Sequence, residues 1–270
     1  SLEFDTFGEP SGKPLLLISG LNTPMTRWTA AFCEKLVDSG FYVIRYDNRD
    51  CGLSSHFDEA RAPSNFNLLV SRLLRFRLKL PYGLMDMVQD AVGLLDSLGI
   101  RSAHIAGRSM GGMIAQVLAA TYPERVASLT VIMSSTGNPR LPLPRWEVMK
   151  HMVKKRPNPY LDLAEYLKRR VAYTKAIGSM HYPLDEFFIR SRIMDDLKRA
   201  GFHRGASRRQ FAALLDAGDI RAILNKIDVP TLVIHGDMDP LVPLACGLDI
   251  HRNISGSRLK VVKDMGHSLQ

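Results

Sequence analysis

Short apolar runs, each ending in glycine or a polar loop residue and each separated from the next by a stretch of helical periodicity, recur along this 270-residue chain. Leu15-Leu16-Leu17-Ile18 stops at Ser19-Gly20, as a strand buried on both faces should. Residues 41–46 form the next run and open into a polar loop over 47–55. Further runs follow at 103–106, 128–133, 231–234 and 258–262. Between them, residues 26–39, 85–98 and 110–121 carry apolar side chains at helical spacing, and Gly40, Gly99 and Pro123 mark their ends. Strand and helix alternating in this way predict an α/β fold: a mostly parallel central sheet with helices on both faces.

The rhythm breaks after Ser134 and resumes after Pro230. The interval is charged and helical in pattern, with joints at Pro139, Pro142, Pro144, Pro157 and Pro159. A structureless loop of that length does not belong in a compact domain. The expectation is therefore a core made of residues 1–136 and 228–270, with residues 137–227 inserted as a helical cap.

Composition narrows the field of function. An apolar fraction of 46% suits a globular protein with a substantial core, and no apolar run approaches the ~20 residues of a membrane helix. The net charge of +9 can attract nucleic acid, anionic membrane or acidic substrates. Its basic residues cluster at 154–156, 168–170 and 208–209 without aromatic interleaving, so they read as solvated helix faces, and no nucleic-acid partner is expected. Cys33, Cys51 and Cys246 are odd in number and widely spaced, which predicts reduced, buried thiols, no metal ligation and a cytoplasmic setting. Residues 2–8 lack a secretory pattern, and a chain that starts in mid-strand and stops three residues after His267 reads as trimmed at both ends.

The most specific string is Gly107-Arg108-Ser109-Met110-Gly111, a match to G-x-S-x-G between an expected strand and an expected helix. A serine there sits on a sharp strand-to-helix turn, so the residues two before and two after it must be small. The turn lifts the hydroxyl to a helix N-terminus, where free N–H groups favour developing negative charge.

A serine hydroxyl is a weak nucleophile at neutral pH and needs a base oriented by a third group. Downstream, the 231–234 strand ends in His235-Gly236-Asp237-Met238-Asp239-Pro240. Carboxylates at the carboxyl ends of parallel strands build sites in such sheets. Asp239, stiffened by Pro240, is preferred over Asp237, which reads as a turn former. The base is His267, after the last strand and preceded by Gly266; His235 is its nearest rival but lies on the wrong side of the carboxylate. Two backbone amides should form an oxyanion hole, those of Met110 and of Leu21 in the loop after the first long strand.

On Tyr46-Asp47-Asn48-Arg49-Asp50-Cys51-Gly52-Leu53-Ser54, residues 107–116, residues 234–243 and Met265-Gly266-His267, the chain resembles α/β-hydrolase-fold serine esterases of the aclacinomycin methylesterase group. The resemblance implies the α/β-hydrolase fold, a Ser109–Asp239–His267 triad, and hydrolysis of a small-molecule carboxylic ester without a cofactor or metal. Two positions depart from the group's pattern. Ser19-Gly20 stands where many relatives have His-Gly, and Arg108 is bulkier and more charged than usual beside the nucleophile. Arg108 is expected to pack against a neighbouring acid, with capture of a substrate carboxylate as the other reading. A carbon–carbon bond hydrolase, a lactonase or a perhydrolase would use the same groups, and a ligand-binding protein on this scaffold is the reading outside catalysis.

Residues 68–80 mix apolar and basic side chains and are expected to form a flap over the site rather than a membrane contact. Trp28, Phe57, Phe66, Trp146, Phe187 and Phe188 are candidates for an apolar acyl pocket or for ordinary core.

Overall fold

Each apolar run becomes a strand, and those buried on both faces satisfy their backbone only by pairing sideways. The computed structural model describes residues 1–64, 79–154, 156–179, 181–182 and 184–268. Within them the strands are β1 (Phe4–Phe7), β2 (Lys13–Ile18), β3 (Phe41–Tyr46), β4 (Ala103–Arg108), β5 (Val126–Ile132), β6 (Thr231–Gly236) and β7 (Arg258–Val262). They lie in the order β1-β3-β2-β4-β5-β6-β7. Pairing is parallel from β3 through β7, and β1 alone runs antiparallel, with Phe4 opposite Tyr46.

Among the described residues, the helices that flank the sheet are α1 (Ala30–Val37), α2 (Leu84–Ser97), α3 (Met110–Thr121) and α9 (Leu244–Asn253). The first is shorter than its periodicity suggests. Residues 25–27 form a single 3-10 turn, Trp28 is extended, and Thr29 caps the true helix by accepting from the Phe32 amide. Side-chain alternation along β4 separates two cores. Ile105 joins Leu16, Ile18, Val88, Leu95 and Ile114 on one face, whereas Ala106 joins Leu15, Leu17, Trp28, Cys33 and Met265 on the other.

Between β5 and β6 lie α4 (Trp146–Val153), α5 (Leu163–Ile177), α6 (Glu186–Ala200), α7 (Ala206–Ala217) and the short α8 (Arg221–Leu224). Helices α5 and α6 share a small core of Tyr166, Val171, Ile189 and Ile193. The amide of Ile220 donates to the Thr136 carbonyl at 2.9 Å, so the segment leaves the sheet and returns to it at one place.

Two sequence expectations fail here. Arg209 does not lie on a solvated face; it is 2% exposed and makes a bidentate pair with Asp50, both contacts at 2.7 Å. A helix meeting a buried acid must bring the counter-charge, and α7 does so. Of the candidate pocket aromatics, Trp28 is buried and Phe57 packs against the core, but Trp146, Phe187 and Phe188 are exposed on α4 and α6. Phe66 and most of the expected 68–80 flap lie outside the described residues. No described helix is long and apolar enough to cross a membrane.

Candidate active site

The strand-to-helix turn at Ser109 is tight for a reason legible in its neighbours. A methyl group on Gly107 would stand 2.1 Å from the Gly111 carbonyl oxygen, and one on Gly111 would stand 2.3 Å from that of Ile18. Ser109 itself has φ 54° and ψ −122°, a conformation that side chains rarely adopt. Its backbone is over-determined: the amide donates to Ile132 O at 2.9 Å, and its carbonyl accepts from Gly112 N at 2.9 Å and from the Ser134 hydroxyl at 2.7 Å.

Three side chains from the ends of three strands meet above the sheet. His267 Nε2 lies 3.1 Å from Ser109 Oγ, and its Nδ1 lies 2.7 Å from Asp239 Oδ2. The other carboxylate oxygen of Asp239 accepts from the Leu241 and Val242 amides, at 2.9 and 2.8 Å, which fixes its rotamer. Asp237 has a different use: it is exposed and accepts from the Asp264 amide at 2.7 Å, pinning the β7 turn that leads to His267. His235 is fully buried and its Nε2 donates to Val242 O at 2.8 Å, so it braces the Asp239 loop. Burial lowers its pKa and keeps it neutral.

The loop after β2 abuts the serine, since a methyl on Gly20 would stand 3.1 Å from Ser109 Cβ. Asn48 Nδ2 donates to Ser19 O at 3.0 Å, Thr23 N donates to Gly20 O at 3.2 Å, and Asn22 N donates to Gln210 Oε1 at 2.7 Å. These bonds hold the Ser19-Gly20 loop. Leu21 N and Met110 N donate to no acceptor among the described residues.

The alpha/beta hydrolase fold model matches residues 13–270. The chain belongs to the α/β-hydrolase family. This hydrolase is 31% identical to rhodomycin D methylesterase of Streptomyces peucetius, over 97% of its own length and 87% of the relative's. It is 29% identical to a 2-hydroxy-6-oxononadienedioate/2-hydroxy-6-oxononatrienedioate hydrolase of Pseudomonas putida, over 88% and 74% of the two chains. Among solved structures, an enol-lactonase from Burkholderia xenovorans superposes with TM-score 0.70 at 24% identity, covering 98% of this chain and 89% of that one.

Several residues that shape this hydrolase's site escaped the sequence reading. Asp47 is fully buried: Oδ1 accepts from Met25 N at 2.7 Å, while Oδ2 accepts from Leu53 N at 3.0 Å and Arg199 Nη1 at 2.6 Å. Gln210 on α7 braces Asn22 and also donates to Arg49 O at 2.7 Å. Asp47 lies in the loop string already singled out, but nothing in the local sequence of Arg199 and Gln210 distinguishes them from ordinary helix-surface residues. The expectation for Arg108 is also corrected. Instead of an acid it meets an aromatic ring, its guanidinium lying 4.8 Å from the Trp28 centroid.

His56, Asp58 and His203 bring ligand-type atoms within 4.8 Å of one another. The two imidazoles are stacked, centroids 3.3 Å apart and planes 8° from parallel, so their in-plane lone pairs do not converge on one ion. His203 is further engaged with Asp58 and the Ala200 carbonyl. The three thiols are free and buried, and burial pushes Cys33 and Cys246 up to about 11.

Proposed function

We propose that the chain hydrolyses a small-molecule carboxylic ester through an acyl-enzyme on Ser109. The observation that carries this reading is the unbroken hydrogen-bond chain from Ser109 Oγ through the His267 ring to Asp239. His267 Nε2 takes the hydroxyl proton as Oγ attacks the ester carbonyl, then returns it to the departing alcohol as the C–O bond breaks. Water, deprotonated by the same nitrogen, then releases the acid and restores the serine. Asp239 accepts from Nδ1, holds the ring in that tautomer and favours the imidazolium. The amides of Leu21 and Met110 receive the oxyanion, a contribution for which loss of one donor costs about 10²–10³ in turnover.

In this reading residues 137–227 are a cap on the core of residues 1–136 and 228–270 and set which substrates fit. Support comes from contacts between the cap and the His267 turn: His267 N donates to Ile177 O at 2.7 Å, and Gly266 N donates to Ser179 Oγ at 2.8 Å. The methylesterase relative favours an ester as the bond cleaved.

With 4-nitrophenyl hexanoate, a burst of nitrophenol equal to the enzyme concentration is expected, and Ser109→Ala should lower kcat by roughly 10⁴-fold or more. Undiminished turnover in that variant would overturn the mechanism. Carbon–carbon bond hydrolysis is the second reading, favoured by the Pseudomonas relative. A 2-hydroxy-6-oxo-dienoate cleaved with a higher kcat/KM than any ester would select it.

A further inference from the structure

An arginine held away from water needs something to take its charge. Arg108, the last residue of β4 and the neighbour of Ser109, is 9% exposed, and its Nη2 is buried without a hydrogen-bond partner. Alternation along the strand puts it on the Ala106 face, over Trp28. The π-face offsets part of the desolvation but supplies no acceptor for the N–H groups.

The surrounding charges make matters worse. Burial disfavours the charged form of Arg108 most, and Arg27 and Arg192 act in the same direction, together pushing its pKa down to about 9. The nearby acid, Asp196, is already paired with Arg27. The guanidinium of Arg192 lies over the Phe188 ring, 5.0 Å from its centroid, and its pKa is lowered by burial and by Arg27. No carboxylate among the described residues pairs with Arg108 or Arg192. Three guanidinium groups and one spent carboxylate therefore gather around the end of β4, next in the chain to the serine.

We propose that Arg108, backed by Arg192, seats a carboxylate carried by the substrate, so that the ester cleaved at Ser109 is an anionic one. The identity of the scissile bond rests on the Ser109 reading above, whereas the anion seat does not. A carboxylate matches the planar fork of a guanidinium with two parallel hydrogen bonds and occupies the N–H groups that the protein leaves open. It also fixes the substrate's direction, because one end is tied a single residue from the nucleophile. A net charge of +9 draws such substrates in, which gives the basic composition a role other than nucleic-acid binding.

The charge has two possible positions, and two substrate pairs separate them. Mono-4-nitrophenyl adipate against 4-nitrophenyl hexanoate puts it on the acyl side; 6-acetoxyhexanoate against hexyl acetate puts it on the alcohol side. In at least one pair the wild type should favour the anionic ester, and Arg108→Met should cut the anionic-to-neutral ratio of kcat/KM by roughly 30-fold or more. Arg108→Lys should recover part of it, since a point charge replaces the fork. Ratios unmoved in both pairs would overturn the proposal. Calorimetric binding of adipate to Ser109→Ala needs no turnover: Arg108→Met or Arg192→Met in that background should weaken binding about 10-fold or more. Equal binding in all three proteins overturns the seat. Arginine-dependent adipate binding by a protein that cleaves no ester retains the seat and rejects the esterase.

Discussion

At Ser109 the backbone is bent where a side chain rarely follows, and the surrounding hydrogen bonds maintain the bend. Such a conformation costs about 1–3 kcal/mol for a residue with a Cβ, and glycine escapes most of that at the expense of greater freedom when unfolded. Ser109→Gly should therefore be about 1 kcal/mol more stable than Ser109→Ala in urea denaturation, both lacking the hydroxyl. Equal stabilities would mean that the turn is unstrained. Its neighbour stores a different penalty. Arg108 holds a buried charge without an anion, so Arg108→Met should gain about 1–2 kcal/mol at pH 7 while losing anionic substrate. Urea denaturation of the two proteins at pH 7 checks this, and a variant no more stable than the wild type would mean that the fold already neutralises the charge.

The elements are joined through buried acids on the loop after β3. Asp50 accepts from Arg209 on α7, from Phe57 N at 2.9 Å and from the Tyr82 hydroxyl at 2.6 Å, just before α2 begins. Burial alone would raise its pKa, but these hydrogen bonds, Arg209's foremost, bring it below the ordinary carboxylate value of 3.8. Arg209→Met strands that charge and should cost about 3 kcal/mol at pH 7. Because the folded pKa is depressed, the stabilisation is complete above the unfolded value and is lost as pH falls through the folded one. The difference between wild type and Arg209→Met should accordingly shrink below pH 3.8. A difference that stays constant in urea titrations at pH 7 and pH 3 would show that Arg209 acts by packing alone.

Across the whole molecule, what the sequence made legible was whatever a few neighbouring residues could encode. Apolar runs marked the strands, Gly107 and Gly111 marked the turn at Ser109, and strand ends located Asp239 and His267 even though 158 residues separate that serine from its histidine. The ties between Asp50 and Arg209, Asp47 and Arg199, and Asn22 and Gln210 span 159, 152 and 188 positions and were invisible. A basic residue on a helix looks the same in sequence whether its face meets water or a buried acid. These ties determine how the chain should melt. An inserted segment that leaves and rejoins the core at Thr136 and Ile220 has the connectivity of a separable unit, and α5 and α6 have apolar residues of their own. Yet its helices supply the counter-charges of Asp47 and Asp50, and Ile177 accepts from His267 N. If α6 and α7 unfolded alone, two buried carboxylates would lose their cations, a penalty of several kcal/mol that discourages the half-folded state. Calorimetry should therefore give one transition whose van't Hoff and calorimetric enthalpies agree, and two resolved transitions would mean that the inserted helices stand independently of the sheet.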